Sequence, residues 1–351
     1  MAALHIPILV AGSAIAVIAL PLCKAASAPA RNERIQKAMH IPDNFLSPPV
    51  WATLDGIAIP AIAYVSRQAQ KATDNNRLPL LGVMGAFVFA AQMINFPVGL
   101  GTSGHLVGGT LLACLIGPWA AALVITSILI VQALVFQDGG VLALGPNVIN
   151  MALMGVLFGY LPARALFHTK WKSYGVFAGG CCSVLASGVL ALAELTVSGI
   201  RMPATLVGAS LGFFAINAIL EGVITVSVLG AIERLNPGIT DTVFGNAESI
   251  AGHPFRWPRA VAALAAGSLV LAAGGMLIAS TLPDGLENVA KALGMPFGQP
   301  SFRSPLGYYQ IQALGPEWFS RAAAGILGLV LIYAVCALGG RLLARARRSY
   351  S

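Results

Sequence analysis

Residues 118–136 read PWAAALVITSILIVQALVF, a run without a single charged side chain. Wound as a helix at about 1.5 Å per residue, it would reach roughly the 30 Å thickness of a bilayer's hydrocarbon core. The rest of the chain repeats this theme. Of its 351 residues, 57% are hydrophobic and 10% are charged, against about 25% charged in an ordinary soluble domain. Mean hydropathy is +0.80. Such a composition excludes a disordered chain and argues against a soluble enzyme. From residue 39 onward the apolar runs predict nine spans, near 49–66, 78–96, 104–116, 118–136, 146–163, 174–197, 204–231, 260–280 and 321–340. The expected fold is therefore an all-α integral membrane protein, a polytopic helical bundle in a lipid bilayer. The third run is short for a span. It is expected either to tilt or to enter and leave through a protein-lined region.

The net charge is +8, but the basic residues are spread over the ends of apolar runs rather than gathered into a patch. This is a membrane-topology pattern and not a nucleic-acid one. With the residue-39 end outside, thirteen Lys and Arg fall on the inside, between Arg67 and Arg77, Arg164 and Lys172, Arg234 and Arg259, and Arg341 and Arg348. The outside segments carry four: Arg201, Lys291, Arg303 and Arg321. The positive-inside bias places the C-terminus in the cytoplasm and the protein in the cell inner (plasma) membrane as a multi-pass chain. Residues 1–38 stand apart. Ile6 to Leu22 is apolar, yet Lys24, Arg31, Arg34 and Lys37 follow it instead of preceding it, the reverse of a secretory signal. The simplest account is a mis-annotated start, with translation beginning at Met39; a processed leader and a retained segment are the alternatives. The five cysteines, Cys23, Cys114, Cys181, Cys182 and Cys336, lie in or beside apolar runs and read as small packing residues.

Few polar groups remain to carry chemistry. His5 lies in the leader, and His168 and His253 lie in basic loops and read as solvated. His40 and His105 both fall on the outer side, beside Gly- and Pro-containing segments. Two such histidines facing one compartment are candidate metal ligands; structural histidines are the plain alternative. With Met39 as the mature N-terminus, its α-amine, the His40 backbone nitrogen and His40 Nδ1 would close a five- and a six-membered chelate ring. Ni(II), Cu(II) and, less readily, Co(II) can displace the amide proton and take tetragonal nitrogen ligation. His105 would supply the fourth nitrogen. Asn147 and Asn150, three residues apart, would face one side of a helix start. They either orient the histidines from outside the ligand set or serve as caps and polar packing. Asp55, Glu194 and Glu221 lie within spans and are functional candidates by position. Glu221 and Asn217, one turn earlier, also read as a structural pair. Gly99 to Gly104 fits G-x-G-x-x-G, but no strand–helix–strand unit surrounds it, so it reads as close packing in a binding loop. No P-loop sequence occurs, so the chain is not expected to be an enzyme with its own ATPase.

Three stretches carry a family resemblance. Met39-His40-Ile41-Pro42-Asp43-Asn44-Phe45-Leu46-Ser47-Pro48, Gly101-Thr102-Ser103-Gly104-His105-Leu106 and Gly145-Pro146-Asn147-Val148-Ile149-Asn150-Met151 resemble the signatures of the CbiM/NikM family. These are substrate-binding (S) components of nickel and cobalt energy-coupling-factor (ECF) transporters. The family usually has Gly where Asn44 stands. Residues 39–255 resemble the S component, with about seven spans. Residues 256–351, with Pro283-Asp284-Gly285-Leu286-Glu287 and Ser304-Pro305-Leu306, are similar to its small two-span (NikN/CbiN-like) partner fused behind it. The resemblance implies Ni2+ or Co2+ as transported ligand, held by Met39, His40 and His105, and no prosthetic group. It also implies a C-terminal loop that assists metal loading, and as partners a transmembrane coupling (T) subunit and two cytoplasmic ATPase subunits. Fusion of the small partner favours nickel. Ala52 and Gly56 on the first span would allow close contact with the coupling subunit or within the chain. An autonomous transporter or channel working through Asp55, Glu194 or Glu221 is the alternative from another class, and a membrane-bound assembly or sensor subunit without transport of its own is a third.

Overall fold

The computed structural model describes residues 40–72, 78–99, 102–245, 257–275, 282, 284–294, 304–311 and 313–348. The leader 1–38, Met39, Pro283 and His253 lie outside them. In chain order the longer helices are α1 (Pro48–Ala72), α2 (Leu78–Gln92), α3 (Gly109–Ile116), α4 (Pro118–Phe136), α5 (Leu144–Leu166), α6 (Lys172–Val197) and α7 (Ala204–Leu235). After the short α8 (Asp241–Phe244) come α9 (Trp257–Val270), α10 (Gly285–Ala292) and α11 (Glu317–Arg348). Helix dominates because lipid offers no partner for backbone N–H and C=O groups, which a helix satisfies internally. Among the described residues six helices, α1, α4, α5, α6, α7 and α11, are long and apolar enough to cross a membrane. The protein is a multi-pass membrane bundle. Ile59, Tyr64, Val197, Val270 and Val330 are exposed on its outer faces, as lipid-facing side chains are.

Each expected apolar run contains a helix, but within the described residues three of these are shorter than spans. The run at 78–96 forms the fifteen-residue α2, and α9 with its π-turn extension reaches Gly275, where the described part of the run at 260–280 ends. The run at 104–116 contains only the eight-residue α3, about 12 Å of helix. It cannot span the hydrocarbon core alone, and all eight of its residues are buried in protein. The chain before it is not helical: residues 105–108 form a largely buried loop that ends on Gly108 at φ 75°, and α3 then runs on to meet α8. Gly117, at φ 85°, then reverses the chain into α4. Irregular backbone at this depth is tolerated where protein groups satisfy it, and the groups that do so build the candidate site.

Close helix approaches follow small residues. A Cβ on Gly180 of α6 would lie 2.7 Å from the Cα of Gly222 on α7, so both positions permit backbone contact. Helices α9 and α11 pack on α2. Tyr333 of α11 lies over Gly82, where a Cβ would come within 2.8 Å of its ring. Phe89, Leu111, Leu112, Ile125 and Ile128 are fully buried in one core cluster, to which α2, α3 and α4 contribute. At the bundle end opposite the histidines, Lys172 pairs with Glu233 at 2.6 Å and donates to Thr240. Exposed His168 lies 3.1 Å from the Phe244 carbonyl. The described cysteines form no disulfide, and Cys114 and Cys336 are buried.

Candidate metal centre

Two arms of the chain meet at one end of the bundle. The first is the segment that begins at His40. Asn147 clamps it: its Nδ2 donates to the Ile41 carbonyl and its Oδ1 accepts from the Ile41 N–H, both at 3.0 Å. The Gly140 N–H donates to the same carbonyl at 2.9 Å. Asp43 accepts from the Leu142 N–H at 2.8 Å. Ile41, Phe45 and Leu46 then sink into an apolar cluster with Leu192 and Leu195 of α6. Asn44 adopts φ 69°, a left-handed turn. Glycine is unstrained there and asparagine is among the few tolerated substitutes, so the departure from the family pattern keeps the turn.

The glycine pair Gly139-Gly140 lets this arm lie flat. Gly139 has φ 95°. A Cβ on Gly140 would stand 2.5 Å from the Asp43 nitrogen and 2.7 Å from the Pro42 carbonyl carbon. Because both obstacles are backbone, Gly140→Ala is expected to push the His40 arm away. A loss of about 1–3 kcal/mol of stability, with weaker metal binding, would appear in thermal unfolding and in titration calorimetry.

The second arm is an antiparallel hairpin, β1 (Phe96–Gly99) and β2 (Thr102–Gly104), followed by His105. Part of the G-x-G-x-x-G stretch thus lies on a two-stranded hairpin. Residues 105–108 are held almost entirely by their main chain. Asn217 Nδ2 donates to the His105 carbonyl at 3.2 Å. The Glu221 carboxylate, fully buried, accepts from the N–H groups of Val107 at 2.8 Å and Gly108 at 2.9 Å. Gln92 donates to the Val107 carbonyl at 2.8 Å and accepts from Gln132 at 3.0 Å. Asn217 and Glu221 lie one turn apart on α7 and share a face. Their hydrogen bonds run to the loop instead of joining the two side chains as a structural pair, and together they hold it.

These clamps bring the two imidazoles to a centroid separation of 5.6 Å, tilted by 48°. His105 Nδ1 lies 3.1 Å from the Leu106 carbonyl; the tautomer that donates there carries its lone pair on Nε2. His40 is 2% exposed. Its Nδ1 stands 3.4 Å from Asp138 Oδ1, and its Nε2 is buried with no hydrogen-bond partner among the described residues. Among the described residues no three His, Cys, Asp or Glu side chains converge for a metal ion, so side chains of these types do not complete a ligand set. Met39, whose amine was expected to contribute, lies outside the described residues.

Of the two asparagines, Asn147 acts on the backbone beside His40, as given above. Asn150 donates to Glu194 at 2.9 Å, and its side-chain hydrogen bond leads to neither histidine. Glu194 is thereby engaged, Glu221 holds the loop, and Asp55 accepts from the Gly145 N–H at 2.6 Å. All three intramembrane acids are thus tied to protein donors.

Two residues were not singled out from sequence. Asp138, after the π-turn at Gln132–Phe136 that ends α4, faces His40. Tyr309 donates its hydroxyl to Asp138 Oδ2 at 2.7 Å. Its ring stacks on Phe136 at 4.6 Å and 14°. Burial and the neighbouring Asp138 charge hold the Tyr309 hydroxyl well above the usual phenol range, so it stays a donor. A carboxylate between a span end and two glycines was the legible signal for Asp138. For Tyr309 there was none. The C-terminal segment also touches the second arm: Ser103 donates to the Leu282 carbonyl at 2.8 Å and Asn288 to Thr102 at 2.6 Å. There Asp284 and Glu287 form a reciprocal capping box at the start of α10.

Residues 40–239 match the family described as "Cobalt uptake substrate-specific transmembrane region", CbiM. A putative fused nickel transport protein NikMN from Archaeoglobus fulgidus is 32% identical over 305 residues, covering 85% of this chain and 96% of that protein. A cobalt transport protein CbiM from Acetoanaerobium sticklandii is 34% identical over 54% of this chain and 83% of its own length. A solved truncated transition metal transporter, 32% identical, aligns with a TM-score of 0.47 over 56% of this chain and 98% of that one. The family match spans more than half of the chain, and the alignment with the fused relative runs well past it. This chain therefore belongs to the CbiM family and continues, as the fused NikMN proteins do, into a NikN-like C-terminal region.

Proposed function

We propose that this chain is the substrate-capture (S) subunit of an ATP-driven ECF-type importer, and that it binds Ni2+ or Co2+ between the His40 and His105 arms. The observation that carries this reading is the meeting of the two imidazoles at 5.6 Å, on loops held by buried hydrogen bonds at one end of the bundle. Met39, His40 and His105 supply the nitrogens, and Asn147 holds the arm. An ion at His40 Nδ1 has the Asp138 carboxylate beside it. That negative charge, with a deprotonated main-chain nitrogen, balances a divalent ion in a site with little water. Ni2+ is favoured over Co2+, in keeping with the name of the fused relative. Residues 39–255 form the capture domain and 256–351 the two-span domain. The site faces outside, the C-terminus is cytoplasmic, and a transmembrane coupling subunit with two cytoplasmic ATPases drives release inward.

The test uses the intact chain. Purified in detergent, it should bind about one Ni2+ per chain in equilibrium dialysis. Reconstituted with its coupling and ATPase subunits, it should accumulate 63Ni2+ in vesicles only when ATP is hydrolysed. Uptake by this chain alone, indifferent to ATP, would replace this reading with an autonomous transporter.

A further inference from the structure

We infer that Tyr309, from the C-terminal region, is a positioning residue of the metal centre that holds the Asp138 carboxylate beside His40 Nδ1, the nitrogen proposed to take the ion. The inference rests on the proposed capture site and extends it to a residue seventy positions beyond the family match, which ends at residue 239.

Three observations carry it. First, the contacts form a continuous chain: Tyr309 Oη donates to Asp138 Oδ2 at 2.7 Å, and Asp138 Oδ1 lies 3.4 Å from His40 Nδ1. Tyr309 and His40 thus meet different oxygens of the same carboxylate. Second, all three side chains are buried. An ion pair or hydrogen bond in such surroundings is strong and sensitive to the loss of a member. Third, Tyr309 is itself fixed. Its ring packs in a triangle with Phe136 and Phe89, with centroids at 4.6 and 6.2 Å. Nearby, Ser304 N–H donates to the Gln137 side chain at 3.2 Å, anchoring the same loop one residue before Asp138. A stacked phenol pins the carboxylate, and the pinned carboxylate keeps its negative charge beside the nitrogen that takes the ion. The C-terminal region thus completes the environment of a ligand that belongs to the other half of the chain. Partners of metal-ligating histidines commonly change affinity by about 10–100-fold when removed.

Tyr309→Phe keeps the stacked ring and removes only the hydroxyl. In the full chain in detergent, Ni2+ affinity should fall about 10–100-fold. The visible absorption band of the fully loaded variant should shift, because the carboxylate beside the ion moves; a purely structural loss would leave the saturated spectrum as in the parent. Asp138→Asn should show a similar loss, and the loss in the double variant should fall well short of the product of the two single losses, since the hydroxyl, which also meets Gln132, acts mainly through the carboxylate. Parental affinity and spectrum in Tyr309→Phe, or losses that multiply in the double variant, would overturn the inference. His105→Ala is the control that separates the two readings. If it still binds Ni2+ as the parent does, the capture site itself is wrong. If it loses Ni2+ while Tyr309→Phe does not, only the role of Tyr309 falls.

Discussion

His105→Ala is expected to lose Ni2+ binding by more than about 100-fold, beyond the range typical of groups that merely support a ligand, while the protein stays folded. The second half of that expectation comes from how the loop is built. Asn217 grips the His105 carbonyl, and Glu221 grips the N–H groups of Val107 and Gly108. None of these bonds uses the imidazole. The ring makes a local contact with the Leu106 carbonyl and faces His40. Truncation therefore removes a nitrogen donor without releasing the backbone, and thermal unfolding should stay close to the parent's. Dialysis against Ni2+, read beside a melting curve, checks both parts. Parental affinity would show that the fourth nitrogen comes from elsewhere.

Glu221→Ala should have the opposite signature: the fold suffers and binding is lost with it. The substitution leaves two N–H groups in the interior of a membrane bundle without their acceptor, at about 1–3 kcal/mol each. Against a total stability of roughly 5–15 kcal/mol this is a large fraction. The released 105–108 loop would no longer hold His105 against His40. Glu221→Gln keeps one carbonyl acceptor and should lose about half as much stability, with binding partly retained. The pair also tests the rival use of this acid. Were Glu221 the carrier of a transported ion, Glu221→Gln would abolish transport as fully as Glu221→Ala and melt like the parent. Melting curves of the two variants beside vesicle uptake distinguish the cases.

Much of the architecture was legible in the residues, for a physical reason. In lipid a charge-free run of about twenty residues has almost no alternative to a helix, so the runs that became α1, α4, α5, α6, α7 and α11 could be located from composition alone. The Met39–Pro48, Gly101–Leu106 and Gly145–Met151 stretches marked the family, and the turn at Asn44 kept its left-handed conformation. The reading was weakest at residues 104–116. There hydropathy counts an apolar stretch without registering that its first part is a non-helical loop and only Gly109–Ile116 is helical. Hydropathy has no means to see a loop that sinks into protein, because the groups that pay its desolvation, Glu221, Asn217 and Gln92, come from other helices.

The sequence by itself determined that this is a helical membrane protein of the CbiM type, and that His40 and His105 were the histidines worth watching. Only the tertiary structure decided which polar groups meet. Asp138 reaches His40 across 98 positions of chain, and Tyr309 reaches Asp138 across 171. It also turned three intramembrane acids into holders of the Gly145 backbone, Asn150 and the His105 loop. A buried polar atom in a low-dielectric interior must find its partner wherever helix packing places one. That placement depends on crossing helices and close glycine contacts, which no local run of residues encodes.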